Sequence, residues 1–87
     1  MLMKKHAYEG KFNHSGARIQ QMRKGIKLSQ GQMAARMQVK GIVRNQQAIS
    51  RIELGEQVVA DYELLAFAEV LEVDVMWLLT GESKRQS

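Results

Sequence analysis

The sequence contains no cysteine and no proline, a single tryptophan among five aromatic residues, and no long apolar run. Without cysteine, no disulfide staples the fold and no thiolate can ligate a metal, which fits a reducing cytoplasm. Without proline, nothing forces a kink into a helix. No apolar stretch approaches the roughly 18 residues that suggest a membrane span. The basic start, Met1 to His6, is not followed by an apolar segment, so it does not read as a secretory signal. Reactive clusters are missing too. There is no glycine-rich phosphate loop and no nucleophile–base signature, and the acidic residues of 61–74 fall at helix caps and on outer faces. His6 and His14 are the only histidines, too few to suggest a metal site. Neither an enzyme nor a cofactor is expected, and the absence of sustained period-two alternation argues against strands.

What is present is a chain of 87 residues, enough for one domain with one core, 45% hydrophobic and 25% charged. Its net charge of +4 is unevenly distributed. Residues 1–60 hold eleven Lys and Arg against three Glu, a net +8, whereas residues 61–87 hold two against six Asp and Glu, a net −4. A basic front and an acidic back suit a protein that orients itself on a polyanion. The plainer reading is an uneven solvated surface.

Caps and apolar spacing predict an all-α fold of five helices. Residues 1–13 are polar and basic without periodicity and read as a flexible arm, followed by a domain over 14–81 and a short tail over 82–87. The first helix is expected from Ser15 to Lys24, with Gly25 turning left-handed to end it. The second begins at Ser29, where Ser29 and Gln32 make a capping box. Gln38 to Arg44 is a connection containing Gly41. The third helix runs from Asn45, its cap, to Leu54 and stops at Gly55. Asp61 is expected to cap a fourth, with Leu64, Phe67, Ala68 and Leu71 on its apolar stripe, and Asp74 a fifth from Val75 to Leu79. The internal methionines and Trp77 read as core.

The third segment carries most of the functional signal. At 100° per residue, Ala48, Ile49 and Ile52 form one narrow apolar stripe, while Gln47, Ser50, Arg51 and Leu54 lie opposite and Gln46 near the tip. Glutamine can pair with adenine N6 and N7, and arginine with guanine O6 and N7. Taken alone, this is also what an ordinary amphipathic helix with a polar outer face looks like.

Together, Leu28-Ser29-Gln30, Met33-Ala34, Ile49-Ser50-Arg51-Ile52-Glu53 with Gly55, and Val73 to Gly81 with Trp77-Leu78-Leu79 resemble the Cro/C1-type (XRE-like) helix-turn-helix family. The segment from Asn45 to Gly55 is especially similar to lambdoid phage repressors. The resemblance spans about Arg18 to Gly81. It implies a five-helix, lambda-repressor-like DNA-binding domain whose second helix crosses the DNA backbone and whose third lies in the major groove. Carried over by position, Gln46, Gln47, Ser50 and Arg51 would face base edges. Gln30, Lys24, Lys27, Lys40, Arg44 and Asn45 would touch phosphates, and Arg23 and Glu53 would form a salt bridge between the first and third helices.

Two departures stand out. The connection over 38–44 is longer than the usual short turn, as in a long-turn branch of the family, and Glu56 stands where the phage repressors carry basic residues. The function expected is a sequence-specific transcriptional regulator, a repressor, that binds double-stranded operator DNA as a homodimer through its C-terminal helices, Leu65 and Leu79 included. An antitoxin-type or protein–protein adaptor module on the same fold is the alternative.

Overall fold

The apolar stripes of the sequence close on one another as five helices in a computed structural model that describes residues 10–82. They are α1 (Gly16–Gly25), α2 (Gln30–Val39), α3 (Gln46–Glu53), α4 (Asp61–Leu71) and α5 (Val75–Thr80). Among the described residues there is no strand, and no helix is long and apolar enough to cross a membrane. His6 and most of the expected arm and tail lie outside the described residues.

Each helix contributes to a single core. Ile19 of α1, Met33 and Met37 of α2, Ile49 and Ile52 of α3, Phe67 and Leu71 of α4 and Leu78 of α5 are buried together. α3 packs against α1 and α2, whereas α4 packs against α1, α2 and α5. Trp77 corrects the expectation of a core position. α5 has only six residues and buries one of them, Leu78, so Trp77 is half-buried on its shoulder.

Local chemistry sets the helix starts. Ser29 Oγ accepts the Gln32 amide at 3.0 Å, and Gln32 Oε1 accepts the Ser29 amide at 2.8 Å, which closes the capping box. Asp74 accepts the Met76 amide and caps α5. At α4 the expectation is corrected by one residue. Ala60 holds the cap position and Asp61 is already helical, while Glu63, three residues on, reaches back to accept the Ala60 amide at 2.9 Å.

The helix ends hold a second correction. Gly25 is the last residue of α1, and the left-handed residue that reverses the chain is Lys27, with φ 64°. The Leu28 amide donates to Arg23 O and the Lys27 amide to Lys24 O, the paired pattern of a Schellman turn. Glu72, with φ 58°, does the same after α4, where Val73 N–H donates to Ala68 O. Both sites carry a Cβ in a conformation that suits glycine better.

The boundary of the arm also moves. Phe12 N–H donates to Gly55 O at 2.8 Å. Asn13 Nδ2 donates to Ile52 O and to Gln57 O, both at 2.9 Å, while its Oδ1 accepts the Ser15 and Gly16 amides. Residues 12 and 13 are therefore fastened to the end of α3. A residue with both an amide donor and an acceptor can bond a helix end on one side and a helix start on the other. Gly16 allows this proximity, because a Cβ on it would collide with the Ile52 carbonyl oxygen.

Candidate nucleic-acid interface

α3 is a short helix with a dry back and a polar front. Ile49 and Ile52 are fully buried and Ala48 is half-buried, whereas Gln46, Gln47, Arg51 and Leu54 are exposed and Ser50 is half-buried. The four residues assigned to base edges thus share one outward side. Asn45 caps the helix by accepting the Ala48 amide at 2.8 Å. That bond uses the side-chain oxygen locally and gives Asn45 a structural role, while its exposed Nδ2 donor is not engaged by the cap.

The first turn of α2 lies across α3. Near its start, a Cβ placed on Gly31 would sit 3.8 Å from Gln46 Oε1. Gln30 Nε2 donates to Glu53 Oε1 at 3.1 Å, at the far end of α3. Gln30 was assigned to phosphate. The structure directs one N–H of its amide to a buried carboxylate, which makes it a brace between α2 and α3.

Glu53 is the centre of that brace. Arg23 approaches it with two nitrogens, Nε to Oε2 at 2.5 Å and Nη2 to Oε1 at 3.0 Å, and its third nitrogen donates to Leu28 O at 2.7 Å. The Glu53 side chain has no exposure and that of Arg23 only 8%, so the pair is almost fully dry. The hydrogen bond to Glu53 raises the pKa of Arg23 above its ordinary value. Burial opposes the shift and the charge of Glu53 reinforces it. A two-pronged guanidinium–carboxylate contact fixes angle as well as distance, so α1, α2 and α3 meet in one rigid joint.

The remaining basic residues divide into two groups. Lys24, Lys27 and Arg51 are exposed and form no ion pair among the described residues. Lys40 and Arg44, expected to be uncoupled positive charge for phosphate, are both paired. Lys40 Nζ lies 3.0 Å from Glu69 Oε1, and Arg44 Nε and Nη2 both lie 2.5 Å from Glu63 Oε2. The cause is the path of the long connection, which runs beside the acidic helix α4 and meets its carboxylates first.

Asn13, Gly16, Glu63 and Glu69 matter to this site and were not singled out from sequence. Glu63 could have been found as the third residue after Ala60, the capping-box position, had the cap been placed there and not at Asp61. Asn13 and Gly16 act through contacts across about forty residues, which leave no local pattern. Among the described residues, no group of His, Cys, Asp or Glu is placed to hold a metal ion. No protein-family model matches the chain, and no curated protein matches it.

Proposed function

We propose that this protein is a sequence-specific double-stranded DNA-binding regulator, a repressor, that uses α2 and α3 as a helix-turn-helix and reads the major groove with α3. The observation that carries this reading is the outward row Gln46, Gln47 and Arg51 on a helix whose back is buried and whose far end is locked by Glu53. Base reading needs side chains with paired donors and acceptors, held by a backbone that does not yield. The resemblance to Cro/C1-type repressors supports the same assignment. The first-turn amides of α2 and the exposed Lys24 and Lys27 supply attraction for phosphate.

A single module buries only roughly 600–1,000 Å² on DNA, so a second copy is needed for affinity. Tyr62, Leu65 and Leu79, exposed on α4 and α5, provide an apolar surface for it. Those helices lie in the acidic part of the chain, which DNA repels.

Selection from random duplex DNA, followed by sequencing, tests the reading. The expected outcome is an enriched two-fold-symmetric site, with preference at one base pair per half-site relaxed by Gln47→Ala and nonspecific binding nearly unchanged. Exposed Leu54, with Val39 and Val43 at more than four-fifths exposure, favours a second reading as a protein-binding module on the same fold. Absence of any enriched sequence would support that alternative.

A further inference from the structure

α3 is held differently at its two ends. Its C-terminal end is gripped by Arg23, Gln30 and Asn13. Its N-terminal end, which carries Gln46 and Gln47, follows the connection of residues 40–45. That connection has three anchors. Ile42 packs on the core, Lys40 pairs with Glu69, and Arg44 pairs with Glu63. The connection therefore runs alongside α4 in the opposite sense, from Glu69 back to Glu63.

The anchors are unequal. Lys40 and Glu69 are about half-exposed, where an ion pair is screened and weakly directional. Glu63 has a side chain only 4% exposed, and all of its contacts are structural: Oε1 accepts the Ala60 amide, and Oε2 takes both nitrogens of Arg44. Arg44 is the residue immediately before Asn45, the cap of α3. The pair thus ties the point where α3 begins to the point where α4 begins, between two helices whose direct packing is slight.

We infer that Glu63 and Arg44 are positioning residues: through this ion pair, α4 sets the placement of the first turn of α3 and so which bases Gln46 and Gln47 reach. The inference rests on the DNA reading proposed above. It excludes the role expected from the sequence, in which Arg44 is a phosphate ligand. The two roles differ in sign. If Arg44 positions α3, removing either partner has the same effect. If Arg44 binds phosphate, Glu63 competes with the DNA for it, and removing Glu63 strengthens binding.

The test compares the full chain with Glu63→Gln, Arg44→Gln and the double variant. Glutamine at 63 can still accept the Ala60 amide, so the start of α4 is retained. Backbone amide resonances and hydrogen exchange are recorded without DNA, and selected-site profiles and salt dependence with it. The expected result is the same in all three variants. The amides of residues 46–49 shift and exchange faster, and discrimination at the base pairs read by the first turn falls about tenfold. The salt slope stays unchanged, and the double variant is no worse than either single one.

Two results would overturn the inference. One is a salt slope flattened by about one in Arg44→Gln, with tighter binding to every sequence in Glu63→Gln. The other is a set of amides at 46–49 identical to those of the unaltered chain. If Glu63→Gln does not fold, Arg44→Lys, which keeps the charge but not the two-nitrogen contact, is read in the same way. If the unaltered chain selects no DNA sequence, the proposed function fails, and the amide measurement still decides the positioning role.

Discussion

Glu53 is a buried carboxylate whose three hydrogen bonds come from two other helices, and its replacement tests the joint directly. Removing one partner of a dry ion pair strands the other and costs about 3–5 kcal/mol, against about 0–1 kcal/mol for a solvated one. Arginines near a surface can extend their heads into water, which would favour the solvated case. The burial of both side chains places this pair at the dry end. Glu53→Gln is expected to lower the melting temperature by upwards of about 10 °C in a domain of this size. An unchanged thermal melt would show that the pair adds nothing. The pH dependence follows from Arg23. A raised guanidinium pKa gives stability that is complete below the unfolded value and lost only as pH rises through the folded one. The pair should therefore survive until strongly alkaline solution, and Arg23 should add no pH dependence to melts near neutrality.

Among the elements, α4 ends at Glu72 in a left-handed turn that glycine would enter without a steric penalty. Glu72→Gly is expected to stabilise the protein by about 0.5–1 kcal/mol in urea unfolding, because relief of the strained φ outweighs the extra freedom of the unfolded chain. A loss of stability would mean that Glu72 makes compensating contacts. The long connection yields a separate expectation. Lys27→Ala should weaken binding to all DNA sequences and flatten the salt dependence by about one, whereas Lys40→Ala, whose ammonium already faces Glu69, should change the slope much less. Equal slopes for the two variants would put Lys40 on phosphate after all.

The helices themselves were legible in the sequence because their signals are local. The Ser29–Gln32 box and the cap at Asp74 fall within one turn, and the two sides of α3 follow from a fixed rotation per residue. Gly25 misled because the left-handed position fell two residues later, on a lysine that gives no such signal. The pairings of Arg44 with Glu63 and of Lys40 with Glu69 were illegible for another reason. They depend on which helix the connection runs beside, and that is decided by packing of the whole chain. The outward row of α3 could thus be read in advance, but the supports at its two ends could be read only in part.

At the scale of the whole molecule, the proposed DNA reading gives the basic and the acidic part of the chain opposite tasks. In that reading, two copies of α3 in successive major grooves stand roughly 34 Å apart, with the symmetry axis away from α3 and towards α4 and α5. Leu65→Glu is expected to shift sedimentation at micromolar concentration from dimer towards monomer and to weaken binding to a two-fold-symmetric site, while the thermal melt moves little, because Leu65 is already half-exposed. A dimer undisturbed by this change would move the contact to another surface.

The half-buried indole on the shoulder of α5 gives the protein a built-in optical reporter. Trp77 is the only tryptophan in the sequence, so all indole emission comes from one place, against the core beside α4. Its colour should respond when a second copy covers α5 and excludes water. It should stay constant when the α3 surface is occupied. A titration followed by fluorescence can therefore separate self-association from ligand engagement without attaching any label.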